Sequence, residues 1–510
     1  MTPLDDKSTL TLRAAWLVLG KTLAFCFAFA LPLLLVRRLS QYEFGLYKQI
    51  FLFVTTAMML LPLGFHMSAY YFLPREPQWG KQVVLNILLF EVFVTIIACA
   101  IIVLWPSLLM ALFKSEEIAR LSPSIAMAVL TFVVSALLDH TMLARGETKL
   151  ATVLVVASQL TKTMALLGAA IVFGTVRSLL YASIIQASIQ VVVLVLYLRA
   201  RFANFWRAFN WGIFREQLGY ALPLGIAAQL WMLQTTLDNF FVSYTFGPGD
   251  YAIYAIGCFQ LPLVVIVTES LGLTTIPRLS QMQKEGRLRE IVELLARMMR
   301  KQAAIFLPLY VLLLVIGREF IVVLFTRQYL QSWPIFAINL ILVPLAIVTS
   351  ASDPVMRSYS EHRYFLLRMR IVLVALLATA LWAGTARYGL IGAISIMAGV
   401  NVLQTIIIGA KTARILQLNR GDWLLFRDLG KILLASVIAG GATLLIKIAL
   451  VGSSAIITVL VCGSVFGTVY LCLLLLLKTA TPEEREGFWR MATRLQQQLF
   501  SKGASPAQSL

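Results

Sequence analysis

The chain alternates between long apolar runs and short polar connections. A helix needs about 20 mostly apolar residues to cross the hydrocarbon core of a bilayer. The runs reach this length repeatedly, and the pattern therefore predicts an all-α polytopic membrane protein with about 14 transmembrane helices. The predicted spans cover residues 12–36, 46–73, 83–105, 123–143, 149–173, 178–198, 217–245, 251–276, 302–325, 333–356, 365–386, 389–412, 429–451 and 454–477.

The composition agrees with a membrane protein and excludes an ordinary water-soluble domain. Hydrophobic residues make up 60% of the 510 residues and charged residues 13%, against about 45–50% and about 25% in soluble domains. The net charge of +19 is typical of a chain that faces anionic membrane lipids, and we predict no nucleic acid partner. The five cysteines form no CxxC pair, so we predict neither a metal site nor a cofactor.

The positive charges predict the orientation of the chain. Lys and Arg concentrate in alternate connections, and in membrane proteins the connections that are rich in these residues face the cytoplasm. With fourteen spans, this pattern places both termini in the cytoplasm.

A connection rich in aromatic and arginine residues divides the chain into two similar halves. The pattern Phe44–Tyr47 comes before a span that closes with Pro74–Arg75, and Asp250–Tyr254 comes before a span that closes with Pro277–Arg278. The repeat predicts two packed bundles with a binding site between them, although so short a match can also arise by chance. We predict an N-terminal six-helix lobe over 1–200, an interfacial linker over 201–216, a C-terminal six-helix lobe over 217–427, two additional transmembrane helices over 428–478, and a cytoplasmic amphipathic helix and tail over 479–510.

The sequence gives no sign of catalytic chemistry. It contains no HExxH, GxSxG or P-loop motif, which would indicate a metalloprotease, a serine hydrolase or a nucleotide-binding site. The predicted external connections are also too short for the catalytic loop of a membrane glycan ligase or polymerase. We therefore predict a protein that is not an enzyme.

Several cations lie in or beside the predicted spans. Lys21 lies deep in the first span, Arg38 follows it, and Lys162 lies at the middle of the fifth. A charge inside a membrane is costly, so it faces a bundle interior or an aqueous cavity and marks a functional site. These residues suit an anionic ligand such as a phosphate or an acidic sugar. The alternative for Lys21 and Lys162 is a structural ion pair with Glu91 or Asp139.

A polar stretch opens the second half. Gln234 and Asp238 are four residues apart and share one helical face, which would line a cavity that binds a glycan. Asp238 and Glu269 are also candidates for coupling transport to protons or sodium ions. The alternative for the polar stretch is packing between helices.

Three stretches resemble a known family. Val36–Tyr47, Leu60–Arg75 and Tyr388–Ala393 are similar to segments of the Wzx-type polysaccharide flippases, which belong to the multidrug/oligosaccharidyl-lipid/polysaccharide superfamily. The resemblance implies two six-helix lobes around a cationic cavity. It also implies that an undecaprenyl-pyrophosphate-linked oligosaccharide crosses the bacterial inner membrane by alternating access, for lipopolysaccharide or exopolysaccharide synthesis, with other glycan-assembly proteins as further partners.

On this interpretation Lys21, Arg38 and Lys162 attract the pyrophosphate or acidic sugars, and Gln234 and Asp238 contact the glycan.

Three alternative functions remain open. A cation-coupled multidrug antiporter would need Asp238 or Glu269, although such antiporters usually have twelve spans. A lipid II flippase would carry arginines in the first span, where Lys21 is the deep cation. A glycan ligase or polymerase is the third.

Overall fold

The computed structural model describes Gly20 and residues 22–359 and 363–477. Every regular element in these ranges is a helix, as the sequence predicts. The α-helices are α1 Thr22–Leu35, α2 Gln41–Leu60, α3 Ser68–Arg75, α4 Gly80–Leu104, α5 Pro106–Phe113, α6 Glu116–Arg120, α7 Ser122–Ala144, α8 Thr148–Val172, α9 Val176–Arg201, α10 Trp211–Thr245, α11 Pro248–Gly257, α12 Pro262–Lys284, α13 Leu288–Phe325, α14 Trp333–Asn339, α15 Leu342–Ser358, α16 Arg363–Ile415, α17 Arg427–Ala449 and α18 Ala455–Leu476.

Nine helices of the described residues are long and apolar enough to cross a membrane, or up to eleven if each bent pair is one span. The count of fourteen stays a prediction. The first predicted span begins outside the described residues, and α10 is not among the helices that meet this criterion. Helix α16 counts once, although it contains two predicted spans and Gly389 interrupts its helical backbone at φ +66°.

Corresponding helices of the two halves are bent. Helix α2 meets the short helices that end at Arg75 at an angle of 50°, and α11 meets α12 at 58°. Gly64 lies in the first break with φ +74°, a conformation that glycine adopts without steric cost. The two predicted spans that follow the repeated sequence pattern therefore share a bend.

The halves touch at several places, and two of these contacts involve α2 or the break that follows it. Helix α2 packs against α11, where the Gln41 side-chain amide donates to the Gly249 carbonyl over 3.0 Å. Further along, α10 packs against the break after α2, and a Cβ atom on Gly64 would lie 2.4 Å from the Gly225 Cα. Backbone therefore meets backbone at this second contact.

The segment between α9 and α10 lies within the predicted interfacial linker over 201–216. Helix α9 continues to Arg201 and α10 already begins at Trp211. The start of α10 has a local cause: the Asn210 side chain accepts a hydrogen bond from the Ile213 backbone N–H over 3.0 Å, which caps the helix.

The two additional helices, α17 and α18, pack against α13. The predicted C-terminal amphipathic helix and tail over 479–510 lie outside the described residues.

Candidate substrate-binding site

A cavity of about 720 Å³ lies within the second half of the chain. Helices α10, α12, α15 and α16 form its walls. Its lining combines an aromatic ring with amides and charged groups, a mixture that suits a polar ligand with an apolar face. The polar and aromatic lining residues are Trp231, Thr235, Asp238, Asn239, Phe259, Gln260, Thr268, Glu269, Asn339, Thr349, Ser350, Asp353 and Arg357.

Asp238 is the most enclosed carboxylate of this cavity, with 3% of its surface exposed. The Tyr254 hydroxyl donates to its Oδ2 over 2.7 Å, and the Asn239 amide donates to its Oδ1 over 3.2 Å. Because both carboxylate oxygens accept hydrogen bonds, the burial of this group is compensated. Asp238 is therefore held in a fixed orientation at the cavity wall.

Gln234 lies one turn before Asp238 but does not line the cavity. Only 4% of its surface is exposed, and its amide N–H donates to the Gln404 side-chain oxygen on α16. This contact joins α10 to the part of α16 that follows Gly389. The structure thus gives Gln234 the helix-packing contact that the sequence left open as its alternative role.

Glu269 and Asp353 add acidity to the same cavity. Glu269 lies on α12 with an exposed side chain. Asp353 lies on α15, where the Arg357 guanidinium donates to its Oδ2 over 3.2 Å. The structure therefore brings the two predicted coupling residues, Asp238 and Glu269, into the lining of one cavity.

Lys162 lies in the first half, away from this cavity. Its ammonium nitrogen is 4.8 Å from the ring centre of Phe132 and 5.8 Å from that of Phe51. Within the described residues no carboxylate oxygen comes within 4.0 Å of that nitrogen. In the part of the chain that the structure describes, Lys162 thus forms no ion pair with Glu91 or Asp139.

Lys48 is a second cation that the sequence reasoning missed. It lies on α2, three residues before Phe51, with its ammonium 5.6 Å from the Phe44 ring centre. Residues three apart share a helical face, so Lys48 lies on the same side of α2 as the ring that Lys162 contacts. Its position within the predicted span 46–73 was a signal that could have identified it.

Arg38 does not join this group. It is exposed on the connection between α1 and α2 and lines neither the 720 Å³ cavity nor a second cavity of about 260 Å³. Lys21 lies outside the described residues.

A third intramembrane lysine has a structural partner. The Lys447 ammonium donates to Glu319 Oε2 over 2.8 Å and to the Val315 carbonyl over 2.7 Å. The pair joins α17 to α13. It explains how a charge in each of these apolar helices is tolerated.

The sequence profile of the family described as "Polysaccharide biosynthesis protein" matches residues 34–334, which is more than half of the chain. No curated protein matches the chain in sequence. The chain belongs to the polysaccharide biosynthesis protein family.

Solved structures share the fold. The lipid II flippase MurJ in an inward closed conformation has a TM-score of 0.68 at 13% identity, covering 88% of this chain and 97% of that one. An inward-facing multidrug resistance MATE transporter of the MOP superfamily has a TM-score of 0.55 at 12% identity, covering 77% and 94%. The Vibrio cholerae MATE transporter VcmN in its bent form has a TM-score of 0.52 at 14% identity, covering 82% and 99%.

These likenesses establish the fold. The protein is a multi-pass membrane protein, and it shares the fold of the MOP-superfamily transporters to which it is similar. The resemblance to Wzx-type proteins of this superfamily is thereby confirmed.

Proposed function

We propose that the protein is a flippase that carries an undecaprenyl-pyrophosphate-linked oligosaccharide from the inner to the outer leaflet of the bacterial inner membrane. Its product would serve the synthesis of a cell-surface polysaccharide, such as lipopolysaccharide or exopolysaccharide. Both termini would lie in the cytoplasm, as the distribution of Lys and Arg predicts. Membership of the polysaccharide biosynthesis family and the transporter fold support this proposal.

The observation that carries the proposal is the pair of ammonium groups of Lys48 and Lys162. Both side chains are partly buried against aromatic rings, and neither has a carboxylate within 4.0 Å in the part of the chain that the structure describes. A buried charge is normally paired, so two unpaired ammonium groups favour an anionic ligand. A pyrophosphate would supply that charge, and lysine binds phosphate as a point charge.

The cavity in the second half suits the glycan. Trp231 is 48% exposed and offers an aromatic face on which a sugar ring can stack. Asn239, Gln260 and Asn339 offer amide groups that can hydrogen-bond sugar hydroxyls. We assign Asp238 to the glycan or to a coupling ion, and Glu269 to the coupling ion.

Alternating access would use the two bent helix pairs. The contact between α2 and α11 lies at the end of these helices that the proposed orientation places toward the periplasm. Movement about the bends near Gly64 and between α11 and α12 would open this contact while the contact between Gly64 and Gly225 stays closed. Transporters of this kind rock one half against the other.

A multidrug antiporter is the second candidate, and one observation favours it. The 720 Å³ cavity carries three carboxylates, those of Asp238, Glu269 and Asp353, which could bind a cationic drug. Only Asp353 among them has a basic partner within 4.0 Å in the described ranges. On this alternative Lys48 and Lys162 would be dispensable.

The test is the leaflet distribution of lipid-linked oligosaccharide in a strain that lacks the gene. We expect accumulation in the inner leaflet that the wild-type gene relieves. The double variant Lys48→Ala/Lys162→Ala should relieve it at least about tenfold less well at equal expression, which corresponds to about 1.4 kcal/mol of lost binding. Lys114→Ala is the matched control, since that exposed lysine also lies over a ring, 5.9 Å from the centre of Tyr244.

Two other results would overturn the proposal. A normal pool combined with altered sensitivity to cationic dyes would support the antiporter. Accumulation in the outer leaflet would support a ligase or polymerase.

A further inference from the structure

Three titratable side chains that are far apart in the sequence meet inside the first half. The His66 and His140 rings stack with their centres 4.2 Å apart and their planes 19° apart. His66 Nδ1 lies 3.8 Å from Glu91 Oε1. They come from three elements: the turn between α2 and α3, helix α4 and helix α7. We call His66, Glu91 and His140 the histidine–glutamate cluster.

The cluster lines a second cavity, of about 260 Å³, at the contact between the halves. Helix α10 of the second half closes this cavity with Gly225, Gln229 and neighbouring apolar residues. The Gln229 side-chain amide donates to the Leu60 carbonyl across the contact over 2.9 Å. Because Gly225 also meets the backbone of residues 63 and 64 directly, any separation of the halves at this point would open the cavity.

Charge balance limits the states that the closed cluster can adopt. Glu91 is only 2% exposed, and its Oε2 has no hydrogen-bond partner within the described residues. An ionised Glu91 beside two neutral imidazoles would leave a buried negative charge without compensation, which is costly. One added proton, on the carboxylate or on His66, makes the cluster neutral. Two charged imidazoles stacked at this distance would repel each other.

The surroundings supply few other charges. The Tyr70 hydroxyl of α3 lies 3.0 Å from His140 Nδ1, and Asp139 precedes His140 on α7. Helices α2 and α10 contribute only apolar side chains and the neutral amide of Gln229 to the cavity lining in the described ranges. The proton balance of the cavity therefore depends on the cluster itself.

We propose that the histidine–glutamate cluster is a proton-binding site that holds one proton while the halves are in contact at Gly64 and Gly225. Separation of the halves admits water to the cavity, hydration stabilises the ionised Glu91 carboxylate, and the cluster then releases its proton. One proton is bound and one is released in each cycle, with no covalent change. The link to substrate movement rests on the proposed flippase function, whereas the proton site itself does not.

The proton site is tested by infrared difference spectroscopy of the full-length protein in nanodiscs during a pH titration. The wild-type protein should show a protonated-carboxyl band that disappears as pH rises. Glu91→Gln should remove this band. Asp238→Asn, which changes a similarly buried carboxyl in the other cavity, should retain it. A band that survives Glu91→Gln unchanged would overturn the proposal.

A second variant keeps the test informative if Glu91→Gln does not fold. Tyr70→Phe removes the hydrogen bond to His140 with little change in volume. It should shift the midpoint of the Glu91 band by up to about one pH unit. An unchanged midpoint would show that His140 and Glu91 do not share a proton.

The coupling is tested separately in proteoliposomes with a fluorescent undecaprenyl-pyrophosphate-linked trisaccharide as the probe. The wild-type translocation rate should respond to a pH gradient, and the Glu91→Gln rate should not. A gradient response that persists in Glu91→Gln would overturn the coupling. If the wild-type protein shows the infrared band but moves no trisaccharide, the flippase function fails while the proton site stands.

Discussion

A Cβ atom on Gly45 would lie 1.8 Å from the backbone oxygen of Pro248. Helix α2 can approach α11 this closely because position 45 has no side chain. Gly45 belongs to the pattern Phe44–Tyr47, and Pro248 lies two residues before the matching pattern Asp250–Tyr254. The pattern thus corresponds to a contact between the two halves.

Gly45→Ala should weaken this contact. The methyl group meets backbone, which cannot rotate away, and overpacking of this kind costs typically about 1–3 kcal/mol. We expect a lower thermal midpoint in detergent and a reduced translocation rate. Gly168→Ala is the control, because a Cβ atom there has nothing within 4 Å. Equal midpoints for the two variants would show that the α2–α11 contact does not contribute to stability.

Tyr254→Phe should expose the role of the hydrogen bond to Asp238. Without the hydroxyl, the Asp238 Oδ2 atom loses its donor while only 3% of the residue is exposed. Such an unsatisfied buried group costs roughly 1–3 kcal/mol, which thermal unfolding would detect. Tyr251→Phe is the matched control, since the Tyr251 hydroxyl donates to Asn239 over 3.2 Å and not to the carboxylate. Equal losses of stability in the two variants would show that the hydrogen bond to the Asp238 carboxylate contributes no more than the hydrogen bond to Asn239.

The helical membrane fold was predictable because a bilayer imposes length and apolarity on each helix directly. The shared lining of Asp238 and Glu269 was partly predictable, since both residues are polar interruptions in apolar runs. The orientation of Gln234 toward Gln404 was not, because it depends on how α10 packs against α16.

The histidine–glutamate cluster was not predictable from spacing. His66, Glu91 and His140 lie on three separate elements, and no local period links them. Lys447 and Glu319 likewise meet across 128 positions of sequence. Lys48 differs, because its place within a predicted span was visible in the sequence. Both the histidine–glutamate cluster and the Lys447–Glu319 pair depend on tertiary packing, which brings residues together that are distant in the sequence.

Lys447→Met should destabilise the junction of α13 and α17. The substitution leaves the Glu319 carboxylate, 23% exposed, without its cation in an apolar environment. Breaking such a pair from one side costs more than removing both charges, so we expect a loss of about 1–3 kcal/mol that Glu319→Gln partly restores. A double-mutant cycle on thermal unfolding measures this coupling. Additive effects of the two substitutions would show that the pair contributes nothing.

Asp422 should make the junction between α12–α13 and α17 sensitive to acid. It lies in the short 3₁₀ helix Arg420–Phe426, where its Oδ2 accepts the Asn419 backbone N–H over 2.9 Å and its Oδ1 pairs with Arg289. The backbone hydrogen bond first, and Arg289 second, lower the pKa of this carboxyl below its ordinary value of 3.8. The ionised form is therefore favoured by folding.

The lowered pKa of Asp422 determines how its contribution to stability changes with pH. A carboxyl whose pKa is lower in the folded state contributes stability above its ordinary pKa and loses this contribution as pH falls through the folded value. Thermal midpoints of wild type and Asp422→Asn should therefore differ by a constant amount from pH 7 to about pH 5 and converge below 3.8. Glu293→Gln, which changes a more exposed partner of Arg289 at 3.6 Å, should give a smaller difference. A gap between wild type and Asp422→Asn that persists at the lowest pH would mean that Asp422 acts through its shape and not its charge.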